Sequence, residues 1–93
     1  MKEISRIEII KRIEWLRLEL GLSKSDFAKS FGVARNTYGN WVKSGEQVIP
    51  LTASISICIE YGVSLDFIYF GKIRDLPVEL FDKWIKSSPE MDS

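Results

Sequence analysis

The chain has 93 residues, 45% hydrophobic and 28% charged, with 13 Lys/Arg balanced by 13 Asp/Glu, no histidine and a single cysteine. That is room for one small globular core but too little for a reading domain plus a separate sensor domain, and it leaves no His/Cys metal cluster, no Ser-His or Cys-His nucleophile pair and no internal disulfide. No apolar run approaches the roughly 20 residues of a membrane span, and the start, MKEISRIEIIKRIEWL, scatters glutamates through its apolar pattern without a small-residue cleavage site, unlike a signal peptide. The expectation is a cytoplasmic, non-enzymatic protein with no cofactor, no metal, no membrane association and no small-molecule ligand. Its neutral total hides a gradient. Residues 1–23 hold five basic and four acidic side chains; residues 24–45 hold Lys24, Lys29, Arg35 and Lys43 against Asp26 alone; residues 46–93 hold four basic against eight acidic, giving +1, +3 and −4. Such polarity can orient a protein on a phosphate backbone, or it can be chance clustering on a solvated face.

In chain order, Ile9, Ile10, Ile13, Leu16 and Leu20 recur at helical spacing and define the inner face of a first helix, ended by Gly21. A second apolar set, Ile4, Ile7, Trp15 and Leu18, lies roughly opposite on the same helix, and one core is not expected to bury both. Ser23, three residues before Asp26, resembles a capping box for a second helix, 24–31, with Phe27, Ala28 and Phe31 inward and Gly32 as a left-handed cap. A third helix runs over about 35–43 and stops at Ser44 and Gly45. The loop SGEQVIP leads to a fourth helix, about 51–61, in which Cys58 reads as a small core residue rather than a redox sensor. Ser64 caps a short fifth helix, LDFIYF, with Asp66 as its first-turn charge and Gly71 as its stop. After the polar link KIRD, Pro77 suits the first turn of a sixth helix, with Lys83 and Lys86 toward its end. Pro77, Leu80, Phe81, Trp84 and Ile85 share one of its faces, and the last residues, SSPEMDS, read as a frayed tail. No strand pattern competes. The fold class is all-α.

The second and third helices have the make-up of a helix-turn-helix. Ala28 is the small residue where two helices cross, Gly32 tolerates positive φ in the turn, and Val33, Tyr38 and Trp41 are apolar anchors, with Val42 on the same inward side. The opposite face carries Asn36, Gly39, Asn40 and Lys43, with Arg35 and Thr37 beside it near the N-terminus, and there is no acidic residue from Phe27 to Gly45. Asparagine can pair with adenine, and arginine with guanine, along major-groove edges, whereas an ordinary solvated face more often includes Glu or Asp. Gly39 costs a helix about 1 kcal/mol relative to alanine. Either it lets the backbone approach a partner closely, or it is a tolerated small residue with no role.

From about residue 10 to residue 71, two-thirds of the chain, the sequence resembles the DNA-binding domain of the Cro and lambda-repressor type, the XRE family. The pieces that carry the likeness are RIEWLRLELGLSKSDFAKSFGVARNTYGNWVKSG and IPLTASISICIEYGVSLDFIYFG, with the Gly, Ala, Val and Trp landmarks in order. The resemblance implies a five-helix, lambda-repressor-like domain, here with an additional C-terminal helix, whose third helix lies in the major groove and which binds a palindromic operator as a dimer. It places Ala34, Arg35, Asn36, Gly39 and Asn40 at base edges, Thr37 at a base or the adjacent phosphate, and Lys24, Lys43 and Ser44 on the phosphate backbone. Four positions depart from the family pattern. Lys24 stands where glutamine is usual, Tyr38 replaces an aliphatic core residue and brings a hydroxyl that can reach phosphate, Val42 replaces a glutamate that is a common polar partner, and Gly39 has no side chain to read with.

The expected organisation is a DNA-binding domain over 1–73 with its motif at about 24–43, a C-terminal helix over 74–87 for packing or dimerisation, and a disordered tail, 88–93. The apolar surfaces of the first helix (Ile4, Ile7, Trp15, Leu18) and of the sixth (Leu80, Phe81, Trp84, Ile85) need covering, by each other within one chain, between two chains of a dimer, or by an outside partner. The expected function is that of a sequence-specific transcriptional regulator, a phage-type or bacterial repressor acting on double-stranded DNA as a homodimer. The alternative is a protein-interaction module on the same fold, an antitoxin or antirepressor-binding adaptor with little DNA binding of its own.

Overall fold

The computed structural model describes residues 5–45 and 49–87, so Ile4 and the tail 88–93 lie outside the described residues. Within them the chain forms α1 (Arg6–Leu20), α2 (Lys24–Ser30), α3 (Arg35–Ser44), α4 (Leu51–Tyr61), α5 (Leu65–Phe70) and α6 (Val78–Ser87), and no strand. Three of the six starts have a chemical cause. Ser5, Ser23 and Ser64 each accept a hydrogen bond from the backbone N–H three residues on, at 3.2, 3.0 and 3.0 Å, pairing a donor that the first helical turn leaves without a partner. Two boundaries move by one residue from expectation: Phe31 caps α2 instead of extending it, and α3 runs on to Ser44. No helix among the described residues is long and apolar enough to cross a membrane.

The core forms around α1, whose Ile9, Ile10, Arg12, Ile13, Trp15 and Leu16 are all buried. So much of one helix is covered because α6 folds back onto it. The Trp84 ring meets Trp15 edge-on at 4.9 Å and Phe67 of α5 at 5.1 Å, while the Trp15 Nε1–H donates to Ser87 Oγ at 3.2 Å. Arg12 is buried as well. Its guanidinium donates to the carbonyl of Ile68 in α5 at 3.0 Å and lies 3.8 Å from the Glu8 carboxylate. A cation there meets one of the carbonyls that a helix C-terminus leaves without an intrahelical partner. Tyr69 of α5 donates from its hydroxyl to the buried Ser54 of α4 at 3.0 Å.

For Trp15 and Trp84 this packing is the first of the three options for the apolar surfaces of α1 and α6, cover by each other within one chain. Trp15 of α1 and Leu80 and Trp84 of α6 are buried core residues of one chain and offer little surface to a partner. Ile7 (46%), Leu18 (62%), Phe81 (36%) and Ile85 (45%) stay exposed, so the apolar face expected on α6 is only partly buried. Leu20 is exposed rather than inward, being the last residue of α1, one step before Gly21 turns the chain away. Cys58 is half-buried against the core, and burial holds its thiol above the ordinary range, the state of an unreactive packing residue.

The α6 contact sets a measurable requirement. Trp84→Ala should destabilise the chain by about 3–5 kcal/mol in urea unfolding. That loss should be the same at protein concentrations low enough to keep the chain monomeric, which would not hold if α6 docked onto a second chain instead of its own.

Candidate nucleic-acid interface

The turn between α2 and α3 is closed by backbone bonds. Val33 N–H donates to Ala28 C=O at 2.9 Å and Gly32 N–H to Lys29 C=O at 3.2 Å, the paired closure of a helix end that needs a left-handed residue between them. Gly32 provides it, with φ of 78°. Ala28 is fully buried where the helices cross. The inner side of α3 then seats in an aromatic cluster. The Tyr38 ring lies 5.4 Å from Phe27, 6.1 Å from Phe31 and 6.0 Å from Trp41, all in edge-to-face arrangement. Tyr38 and Trp41 are buried, whereas Val33 and Val42 are only half-buried and act as flanking contacts rather than full anchors.

Anchoring α3 from one side leaves its other side bare. Ala34, Arg35, Asn36, Thr37, Asn40, Lys43 and Ser44 are exposed, and Gly39 is half-buried among them. A Cβ added at Gly39 would meet nothing within 4 Å, so no packing within the chain requires glycine there. The N-cap, Ala34, makes no side-chain hydrogen bond and the first turn holds no acidic residue. The positive end of the helix dipole is therefore neither capped by a side chain nor neutralised by a carboxylate. The surface presents amides, cations and backbone donors, a set that suits phosphates and base edges and does not suit a cationic partner. Among the described residues no group of His, Cys, Asp or Glu could hold a metal ion.

Beneath this surface lies a polar cluster that periodicity does not reveal. Arg17 donates from Nε and Nη2 to both oxygens of Glu14, each at 2.7 Å, and from Nη1 to the Leu22 carbonyl at 2.8 Å. The Tyr38 hydroxyl donates to Glu14 Oε1 at 2.7 Å, bridging α1 and α3. This corrects the idea that the hydroxyl reaches phosphate, since it points inward and is already committed. Burial pushes the Glu14 pKa up, but the hydrogen bonds from Arg17 and Tyr38 and the charges of Arg17 and Lys24 outweigh it and hold the carboxyl below its usual range. Burial and the donation to Glu14 push the Tyr38 phenol well above its ordinary value. Lys24, half-buried at the start of α2, is thus close enough to Glu14 to bias its ionisation. The Glu14–Arg17 spacing is readable as an i,i+3 pair, yet nothing in the sequence joins it to Tyr38.

A helix-turn-helix family model matches residues 13–68, more than half of the chain and all of α2 to α4. No curated protein and no solved structure matches the chain.

Two outcomes follow from this geometry. Gly39→Ala should raise stability by about 0.5–1 kcal/mol, because the added methyl enters open space and removes a flexible residue from a helix. Glu14 has a depressed folded-state pKa, so its contribution is complete above the unfolded-state pKa and is lost as pH falls through the folded value. The stability gap between wild type and Glu14→Gln should therefore narrow as pH drops below about 4, read from urea midpoints across a pH series.

Proposed function

The chain belongs to the helix-turn-helix family, in its XRE, Cro- and lambda-repressor-like form, and is a DNA-binding transcription regulator; from that premise we propose that it binds a palindromic operator as a homodimer and represses by occupying promoter DNA. The observation that carries this reading is the two-sidedness of α3: an inner face seated in aromatic rings and an outer face of amides and cations without a carboxylate. In this reading Ala34, Arg35, Asn36, Gly39 and Asn40 meet base edges in the major groove, and Thr37 meets a base or the neighbouring phosphate. Lys24, Lys43 and Ser44 meet the backbone. The protein acts where bacterial or phage promoters are, in the cytoplasm.

The homodimer is supported by apolar surface that one chain leaves uncovered. Ile7, Leu18, Phe81 and Ile85 are exposed on α1 and α6, and Leu51, Ile55 and Ile59 stand one turn apart along α4. Two-fold symmetry places the half-sites about one helical turn, roughly 34 Å, apart.

Selection of bound sequences from a random duplex pool, followed by titration at two salt concentrations, tests the proposal. A preferred palindrome with salt-sensitive affinity is expected; no sequence preference even at low salt would refute it and turn attention to protein partners. Arg35→Ala or Asn40→Ala should each cost about 1–3 kcal/mol and relax preference at one position. Lys24→Ala or Lys43→Ala should weaken all duplexes alike and flatten the salt slope by about one unit. A chain that sediments as a monomer and saturates the palindrome one copy at a time, without cooperativity, would overturn the dimer.

A further inference from the structure

Tyr38 occupies a position where packing asks only for an apolar ring. It is fully buried, with Phe27, Phe31 and Trp41 around it, and phenylalanine would fill that space equally well. The hydroxyl is an addition that a buried site tolerates only with a partner, and here the partner is the Glu14 carboxylate at 2.7 Å. Glu14 cannot swing to follow the tyrosine, because Arg17 grips both its oxygens at 2.7 Å and is itself held by the Leu22 carbonyl in the turn before α2. The result is a continuous polar chain from that turn, through Arg17 and Glu14 on α1, to the middle of α3. It joins a side chain in the middle of α3 to α1 by polar contact, and a bond to an ionised group has a narrower preferred geometry than ring packing.

We infer that Glu14 and Tyr38 are positioning residues for sequence recognition: their hydrogen bond fixes the rotation and depth of α3 on α1, and thereby where Arg35, Asn36 and Asn40 stand relative to the bases. This rests on the DNA-binding reading above and adds to it a determinant on α1 that touches no DNA. Aromatic packing alone fixes the distance between α3 and the core but leaves the helix free to roll slightly on its rings. A roll of that kind leaves phosphate contacts, which are tolerant point-charge interactions, nearly intact and spoils bidentate base contacts, which are not. Position 42 fits the same picture. Val42 is half-buried in a groove that Glu14 also lines, and its apolar side chain can make no hydrogen bond to α1. The tie to α3 runs through the tyrosine instead.

The test uses the full chain with Tyr38→Phe, Glu14→Ala, Glu14→Gln and the double variant Tyr38→Phe/Glu14→Ala. Each is titrated with the selected duplex and with a random duplex of the same length, beside a thermal melt. Tyr38→Phe should melt cooperatively, lose about tenfold in affinity for the selected duplex, and keep its random-duplex affinity within twofold. Glu14→Ala should lose at least as much specificity, Glu14→Gln should recover part of it because its amide oxygen still accepts from the phenol, and the double variant should be no worse than Glu14→Ala. A purely structural role would lower stability and both affinities together. An unchanged ratio of selected to random affinity in Tyr38→Phe overturns the inference. Wild type without any sequence preference refutes the DNA-binding reading itself. In that event, amide hydrogen exchange over Arg35–Ser44 still decides the clamp: faster exchange in Tyr38→Phe supports it and unchanged exchange removes it.

Discussion

The arrangement depends on holding α3 by one face only. A helix that enters a major groove about 12 Å wide must keep its outer side free of other protein, so every stabilising contact has to come from the inner side. Ten residues are too few for a helix to persist on its own in water. Order in α3 is therefore a tertiary property. Tyr38 and Trp41, both buried, supply it from within the helix, and Phe27, Phe31 and α1 supply the seat. The remaining helices serve that seat: α5 closes on α1 through Arg12 and Phe67, and α6 covers Trp15, which would otherwise lie open on the far side of α1.

Charge is allocated in the same way. The arginines of α1 that face the interior are spent inside the protein: Arg12 on the Ile68 carbonyl and Glu8, Arg17 on Glu14 and the Leu22 carbonyl. They add nothing to the field that a phosphate backbone would feel. The excess of positive charge over residues 24–45 is different, because Lys29, Arg35 and Lys43 are exposed there and Asp26 is the one acidic residue in the segment. Asp26 lies in the first turn of α2, where a carboxylate favours the helix dipole. A neutral total is thus compatible with a directional field, since the acidic residues concentrate in the C-terminal half.

Much of the fold was legible because its punctuation is local. Glycines mark helix ends and Ser5, Ser23 and Ser64 mark starts, and both act within a few residues of themselves. Ser5 accepts from the Glu8 N–H three residues on, in the same geometry as the other two. The inner and outer sides of α3 were also legible, since Tyr38 and Trp41 recur at helical spacing and the polar arc lies between them. What escaped is whatever two distant segments decide together. A periodic pattern shows that Trp15 and Trp84 are apolar but not that one covers the other across 69 positions, nor that Arg12 finds a carbonyl on α5. The Glu14–Tyr38 bond is the sharpest case: a glutamate on one helix and a tyrosine on another carry no shared signature until the fold brings them to 2.7 Å.

The local composition of α3 makes sense only in that light. Its N-terminus lacks a side-chain cap, an omission that costs about 1 kcal/mol, and Gly39 in mid-helix costs about another. Both unfavourable choices fall on the outer side or the open end, where a cap or a side chain would stand between the helix and a partner. Against them, burying Tyr38 and Trp41 supplies about 1.5–3 kcal/mol each, all on the inner side. The balance favours the folded helix by enough to leave its outer face poor in intrinsic stability and rich in exposed amides and cations. A helix optimised for stability alone would place serine or aspartate at position 34 and alanine at position 39. That this one has alanine and glycine there, with open space around Gly39, is what the proposed DNA contact by the outer face requires.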